Sequence, residues 1–221
     1  MKFRIFSTLL FLASQTLAFA GVIYNVSLDT APLADHPAGP FSIAFQLADG
    51  SFTGDGNNAA ILLNFDFGVG GFAVGSPNLV GSASGSLSTG VTLTDASPVN
   101  FFSQTFNPGG KLSFELFLTT NLDEGALPDQ FIVYILDSAG YPIPTSAGEF
   151  FDAFVAVSID SENPVPQTFW GDAGRAPVAG GSPIDTGPAV ASSSVPEPGT
   201  CGTVGAMFLL LLTARRSRLK K

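Results

Sequence analysis

The chain has almost no cysteine or histidine, and this scarcity excludes several kinds of chemistry. Cys201 is the only cysteine and His36 the only histidine among 221 residues. An internal disulfide therefore cannot form, and a multi-histidine zinc site cannot be built. His36 lies in Asp35-His36-Pro37, a setting typical of a solvated turn rather than of a general base. Stability must come from a hydrophobic core.

Basic residues are also scarce over most of the chain. Between residues 21 and 194 there are two, Lys111 and Arg175, against seventeen acidic residues, which gives this span a formal charge of −15. A surface of that sign repels nucleic acid and anionic lipid, because binding to either depends on Lys and Arg neutralising phosphate. Nucleic-acid partners are therefore excluded.

Long helical periodicity is absent from the central part, and alternation of apolar and polar residues takes its place. Strands are predicted at 22–28, 41–47, 61–67, 111–118 and 153–159. In the third of these, Ile61, Leu63, Phe65 and Phe67 are predicted to share one buried face. The run 131–136, FIVYIL, is apolar on both faces and predicts a central strand covered on each side.

Turn residues complete the fold prediction. Asn107-Pro108-Gly109-Gly110 predicts a tight hairpin between 101–106 and 111–118. No crossover helices separate the strands, so parallel pairing is disfavoured. The sequence predicts an all-β fold over residues 21–170, an antiparallel β-sandwich of jelly-roll or Ig-like character, with a closed barrel as the alternative.

The N-terminal residues have the pattern of an export signal. Lys2 and Arg4 precede an apolar segment at 5–13, and Ala18 and Ala20 fit the small-x-small rule for cleavage. Residues 1–20 are therefore predicted to be a signal peptide removed by signal peptidase. A retained N-terminal anchor is the alternative.

Composition changes after Trp170. Residues 171–194 are rich in Gly, Ala, Ser and Pro and contain few large apolar side chains. Such a composition predicts a flexible linker.

The last segment, 195–221, has three parts. Val195-Pro196-Glu197-Pro198 precedes an apolar run at 199–214, and Arg215, Arg216 and Arg218 follow it. The apolar run is short for a permanent span, and the basic end is expected to stay cytoplasmic. Transient membrane insertion through this C-terminal helix is predicted.

This three-part tail resembles the PEP-CTERM sorting signal of bacteria that make extracellular polysaccharide. The resemblance implies recognition by a membrane-embedded exosortase, cleavage near Val195-Pro196-Glu197-Pro198, and delivery to the cell surface or matrix. More weakly, IYNVSLDT, GVTLTD and PDQFIVYILDSAG are similar to a recurrent, uncharacterised group of proteins with this tail. That resemblance names no activity.

One loop offers oxygen ligands for a metal ion. The segment 49–58, DGSFTGDGNN, carries Asp49, Asp55 and Asn57 among glycines that permit tight wrapping, which suits Ca²⁺. Its spacing does not match the EF-hand pattern. A solvated turn rich in Asp and Asn is the alternative.

No catalytic residue is predicted, and the chain is expected not to be an enzyme. Asp66 and Glu115 lie at outward strand positions where paired carboxylates would suit a glycosidase, but a solvated sheet face explains them equally well. Tyr24 and Tyr134 are predicted to be core residues, whereas Tyr141 and Trp170 are candidates for exposed sugar-stacking rings.

The predicted function is a secreted or surface protein with a structural or adhesive role in exopolysaccharide or biofilm matrix. Extracellular polysaccharide is its expected partner. The alternative function is a calcium-assisted glycan-binding module.

Overall fold

The computed structural model describes residues 21–123 and 127–194. Within these ranges the chain forms thirteen β-strands, one short 3-10 turn at Ala31–Leu33 and no α-helix. The first seven strands are β1 (Gly21–Asp29), β2 (Phe41–Ala48), β3 (Ala59–Asp66), β4 (Phe72–Ala73), β5 (Asn78–Val80), β6 (Ala83–Ser86) and β7 (Gly90–Thr94). The other six are β8 (Val99–Asn107), β9 (Lys111–Thr119), β10 (Gln130–Leu136), β11 (Val155–Ser158), β12 (Gln167–Thr168) and β13 (Pro188–Ser194).

The strands form two sheets, and every pairing among the described residues is antiparallel. Sheet 1 has the order β13-β1-β9-β3-β7-β6. Sheet 2 has the order β12-β11-β10-β2-β8-β4, and β5 also pairs with β8. The prediction of an all-β fold built from antiparallel sheets is confirmed. The alternative of a closed barrel is not supported, because the described strands divide into two separate sheets.

The two sheets share one hydrophobic core. Phe45 of β2 lies in sheet 2, and its ring contacts Phe114 of β9 in sheet 1 edge-on, with the ring centroids 5.3 Å apart. Phe102 stacks on Phe45 at 5.7 Å from the neighbouring strand. Each such buried side chain contributes about 1.5–3 kcal/mol. This cluster of phenylalanine rings stabilises the contact between the two sheets, in a chain whose single cysteine cannot form an internal disulfide.

The buried face of β3 differs from the prediction. Ala60 and Leu62 are buried, whereas Leu63 is exposed. At Asn64 the backbone takes a positive φ of 57°, and the pairing with β9 shifts register between Leu63 and Asp66. This bulge changes the phase of the strand, because one extra residue reverses which side chains face inward. Beyond it, Phe65 packs against the core.

The predicted hairpin at residues 107–110 is wrong. The strands on either side of this turn, β8 and β9, belong to different sheets and do not pair. The turn instead carries the chain from sheet 2 to sheet 1, and the carbonyl oxygen of Gly109 accepts a hydrogen bond from Thr30 Oγ1 at 2.9 Å. A local turn sequence fixes where the chain reverses but not which strand it then joins.

The predicted linker at 171–194 is also wrong as a flexible element. Its last seven residues form β13, which pairs with β1 along the whole strand. Upstream of it, Ile184 and Thr186 are buried, and Gly171 N donates to Thr186 O at 2.7 Å. This segment is held by backbone hydrogen bonds and close packing of small residues, which a count of large apolar side chains does not register.

The strand predicted at 131–136 is confirmed as an inner strand, β10, between β11 and β2. Its outer face is partly covered, since Tyr134 is half-buried and packs edge-on against Phe151 at 6.5 Å. No helix among the described residues is long and apolar enough to cross a membrane. The predicted leader and the predicted sorting tail lie outside the described residues.

Candidate metal centre

Acidic side chains from three loops converge at one end of the two sheets. The first loop, 49–58, joins β2 to β3; the second, 95–98, joins β7 to β8; the third joins β9 to β10. Asp49, Asp95 and Asp129 each lie immediately beside a strand end, which fixes their backbones. The three loops meet at the same end of the sheets because β2 pairs antiparallel with β8 and β10, and β3 pairs antiparallel with β7 and β9.

Three carboxylates form the centre of this group. One oxygen each from Asp49, Asp123 and Asp129 lies within 4.8 Å of the other two. Asp49 and Asp129 are buried, whereas Asp123 is half-buried. The cluster therefore has two carboxylates inside the protein and one at the edge of solvent.

Asp49 is held by its own loop. Its Oδ1 accepts hydrogen bonds from Ser51 N at 2.7 Å and from Ser51 Oγ at 2.6 Å, and its Oδ2 accepts from Gly54 N. Burial acts to raise the pKa of Asp49, but these hydrogen bonds from Ser51 and Gly54 outweigh it and lower the pKa below its ordinary value. Asp49 therefore presents an ionised carboxylate with a fixed orientation.

Glycine allows the first loop to approach its neighbours. Gly50 lies directly against the third loop, and a Cβ there would lie 1.9 Å from the carbonyl oxygen of Leu127. At Gly54, where φ is 71°, a Cβ would lie 2.9 Å from the carbonyl oxygen of Ala96 in the second loop. Side chains at these positions would push the three loops apart.

Asn58 connects the loops through the atoms behind the cluster. Its backbone N donates to Asp95 Oδ2 at 2.9 Å, and its Nδ2 donates to Asp129 Oδ2 at 2.8 Å. Its Oδ1 accepts from Thr119 Oγ1 at 3.0 Å and from Asn121 N at 2.9 Å. All polar atoms of this buried amide make hydrogen bonds, so Asn58 is held in place and links the three loops.

Asp95 has no such complete set of partners. Its side chain is 0 % exposed, and its carboxyl group contacts that of Asp129. Asp95 Oδ1 has no hydrogen-bond partner in the described part of the chain. Burial, reinforced by the contact with Asp129 and the charges of Asp129 and Asp55, raises the pKa of Asp95 to about 8.

Two atoms near the exposed side of the cluster also lack hydrogen-bond partners. Asp123 Oδ2 and Asn57 Oδ1 are buried atoms without a hydrogen-bond partner among the described residues. Burial comes first among the causes that raise the pKa of Asp123, followed by the charges of Asp129, Asp55 and Asp49, while a hydrogen bond from Asn57 opposes them. Several oxygen atoms therefore lie close together at this site, and some of them receive no hydrogen bond from the described residues.

No basic side chain described in the structure offsets this charge. Lys111 Nζ pairs with Asp66 at 3.3 Å. Arg175 binds Asp152 through two nitrogens, at 2.6 and 3.0 Å, and Asp172 through Nε at 2.7 Å. Since these are the two Lys and Arg residues of the described ranges, no described Lys or Arg side chain pairs with the acidic cluster.

The predicted ligands divide between the cluster and the surface. Asp49 belongs to the three-carboxylate group, and Asn57 borders it. Asp55 is exposed and accepts hydrogen bonds from Asn57 N and Nδ2, at 3.2 and 3.0 Å, so it shapes the loop rather than joining the group. Asp95, Asp123 and Asp129 were not among the predicted ligands. Asp129, like Asp49, lies close to a predicted strand, which was an available indication. No strand was predicted beside Asp95, because β7 appears only in the structure.

The remaining candidates are dispersed. Glu115 Oε2 accepts from Asn64 Nδ2 at 2.8 Å and Asp66 pairs with Lys111, so each carboxylate has its own partner. Tyr24 is buried as predicted, whereas Tyr134, also predicted to be a core residue, is only half-buried on the outer face of β10. Tyr141 and Trp170 are exposed. The sorting and cleavage residues, Ala18, Ala20, Val195 to Pro198 and Arg215 to Arg218, lie outside the described residues.

The three-loop acidic cluster is thus the densest grouping of metal-binding side chains in the part of the chain that the structure describes. Comparison with protein-family models, with curated proteins and with solved structures finds no match to this chain.

Proposed function

We propose that this chain is an exported protein, processed by signal peptidase and exosortase, that has a structural or adhesive role in an extracellular polysaccharide matrix. The observation that supports the proposal is the pair of sorting patterns in the sequence, a leader at 1–20 and a three-part tail at 195–221. The described strands all lie between these two patterns. Removal of both signals would leave every described strand intact.

The finer architecture belongs to the same proposal. Two antiparallel sheets with a shared core agree with a sandwich of jelly-roll or Ig-like character. An acidic body of this kind suits a matrix component, since its charge keeps copies soluble until a cation or partner relieves their repulsion.

The test is intact-mass measurement of the extracellular protein. The full chain would be expressed in a bacterium that has an exosortase, and the secreted or surface form purified. We expect the mass of a polypeptide that begins at Gly21 and ends close to Pro198. Replacing Pro196, Glu197 and Pro198 by Ala should retain the tail, whereas Pro183→Ala, at an exposed proline of the folded body, should not. A surface form that carries Lys221 would contradict the proposal.

A second candidate function, a calcium-assisted glycan-binding module, is favoured by the acidic cluster. A cation held at a partly exposed site can bridge protein carboxylates to hydroxyl or carboxylate groups of a sugar. Pull-down with matrix polysaccharide, with and without EDTA, tests it. Capture that is lost in EDTA would support the module, and equal capture in both would leave the structural role.

A further inference from the structure

We propose that Asp49, Asp123 and Asp129 bind a calcium ion at the junction of the three loops, with Asn57 Oδ1 as a neutral ligand and Asp95 as a supporting carboxylate beside Asp129. This site differs from the Asp49, Asp55 and Asn57 set that the sequence predicts. It goes beyond the proposed export and matrix role and does not depend on it.

The distances suit one ion. Calcium binds oxygen at roughly 2.3–2.6 Å, so two oxygens bound to the same ion lie at most about 5 Å apart. The oxygens of Asp49, Asp123 and Asp129 all lie within 4.8 Å of one another. They come from two loops of different sequence position, so a shared ion would join the β2–β3 connection to the β9–β10 connection.

The unpartnered atoms are an independent indication of a ligand. Asp95 Oδ1 is completely buried and, within the described residues, accepts no hydrogen bond, while the Asp95 carboxyl group contacts that of Asp129. Asp123 Oδ2 and Asn57 Oδ1 share this condition. Buried polar atoms are rarely left unsatisfied in native proteins. A cation among these oxygens would satisfy Asp123 and Asn57 directly and would offset the negative charge that Asp95 and Asp129 share.

The excess of negative charge in the cluster also favours a bound cation. Asp49, Asp55, Asp95, Asp123 and Asp129 interact through their charges, while Lys111 and Arg175 are engaged with other carboxylates. Like charges crowded in a region of low dielectric repel strongly. A bound divalent ion reverses that balance, because it becomes the largest local charge in the site.

The donor set favours calcium over other metals. The candidate ligands are carboxylate and amide oxygens, without nitrogen or sulfur, which disfavours zinc and copper. They lie on loops and do not impose octahedral symmetry, whereas magnesium requires near-ideal octahedral geometry and keeps several waters. Calcium accepts six to eight oxygens in irregular arrangements, so waters at the exposed Asp123 edge would complete its coordination.

Thermal unfolding and calorimetry test the proposal. Residues 21–194 contain all the described strands and the core, so this body would be stripped with EDTA and measured beside the full chain. We expect CaCl₂ to raise the melting temperature more than MgCl₂, and far more than NaCl of equal ionic strength, because an ion that binds only the folded state stabilises it. Calorimetry should give a saturable calcium isotherm.

The variants separate this site from the alternatives. Asp95→Asn should raise the melting temperature of the calcium-free protein, because it removes a buried carboxyl group that contacts the carboxyl group of Asp129. It should weaken calcium binding by about tenfold or more, since affinity follows the charge of the groups around the ion. Asp123→Asn, at the exposed edge, should weaken binding similarly without threatening the fold. Asp55→Asn should have a much smaller effect. Asp160→Asn, an exposed change of equal charge, should alter neither quantity.

Three results would overturn the site. The first is a wild-type protein without a calcium isotherm. The second is a thermal shift that sodium reproduces. The third is wild-type calcium affinity in both Asp95→Asn and Asp123→Asn, which would leave a shared proton as the explanation of the Asp95–Asp129 contact. None of these would affect the intact-mass test of export, so the two proposals can fail separately.

Discussion

Gly50 is the residue on which the approach of two loops depends. It follows Asp49, and its backbone N donates to Asp129 Oδ1 at 2.9 Å, so it joins the two buried carboxylates of the three-carboxylate group. Its α-carbon faces the backbone of Leu127 at a distance that leaves no space for a methyl group. Because the obstacle is backbone rather than a mobile side chain, the loop would have to move.

We therefore expect Gly50→Ala to destabilise the protein by about 1–3 kcal/mol, the usual cost of overpacking. It should also weaken calcium binding, because displacement separates Asp49 from Asp129. Gly110→Ala is the matched control, since a Cβ there meets nothing within 4 Å. Denaturant titration and calorimetry measure the two effects, and wild-type behaviour of Gly50→Ala would contradict the close approach.

Tyr24 gives a pH dependence that does not involve the acidic cluster. Its hydroxyl donates to Pro164 O at 2.7 Å, and burial raises its pKa to about 12. The unfolded value is near 10, so the folded state holds this proton more tightly. The stability that Tyr24 contributes is complete below pH 10 and is lost as the pH rises through 12.

Tyr24→Phe should therefore lower the stability by about 1 kcal/mol at neutral pH, the value of one hydrogen bond, and should flatten the decline between pH 10 and 12. Denaturant titration across this range measures both effects. Tyr141→Phe, at an exposed ring, should keep the wild-type pH profile. An unchanged alkaline decline in Tyr24→Phe would exclude this role.

At the scale of elements, β13 shows how a segment of low hydrophobicity can be structural. It pairs with β1 from Pro188 to Ser194, and Val190 packs against the core. Upstream, Arg175 binds Asp152 through two nitrogens, and Ala179 N donates to Asp137 Oδ2 at 2.8 Å. The chain after Trp170 is thus tied to the sheets before β13 begins.

A body that ends at Gly187 should lose about 2 kcal/mol of stability or more, the combined value of the partly buried Val190 and the strand pairing of β13. Exposing the edge of β1 should also promote association, because unpaired strand edges pair with other chains. Thermal unfolding and gel filtration compare this variant with the body that ends at Ser194. Equal stability and a monomeric profile would show that β13 contributes nothing.

The strands could be predicted where alternation is regular and uninterrupted. β1, β2, β9 and β10 fall within a few residues of their predicted ranges, because each has apolar side chains at every second position or on both faces. β3 could not be predicted beyond Leu63, since the bulge at Asn64 leaves no mark in the apolar pattern. The partner of β9 was equally hidden, because the turn at 107–110 is compatible with either a hairpin or a change of sheet.

At the scale of the whole molecule, charge dominates the behaviour in solution. The described ranges hold two basic residues, both in ion pairs, within a span of formal charge −15. Self-repulsion of this size destabilises the compact state, and salt screens it. The calcium-free protein should therefore melt at a higher temperature as NaCl increases.

That salt effect should be present in Asp160→Asn and in Asp123→Asn alike, because it depends on total charge. Melting curves at several NaCl concentrations measure it. A melting temperature independent of salt would contradict a destabilising role of the net charge. This general screening can then be subtracted from the specific effect of calcium.

The composition of the acidic cluster shows why only part of it could be predicted. Asp49 and Asn57 lie in one loop, so their proximity follows from the sequence. Asp95, Asp123 and Asp129 come from other loops, and only the sheet order brings those loops to the same edge. Asp55 looked equivalent to Asp49 in sequence, but its side chain is turned to the surface, where it binds the Asn57 backbone.

The pairing of β1 with β13 has a mechanical consequence. Val22 lies opposite Ser194, so the chain enters and leaves the folded body at one end of a single strand pair. A force that pulls the two ends apart would load the hydrogen bonds of this ladder one after another, from Val22 toward Leu28, rather than all together. The body should therefore open like a zipper under tension between its ends, while tension applied along the sheet, across many hydrogen bonds at once, would meet much greater resistance.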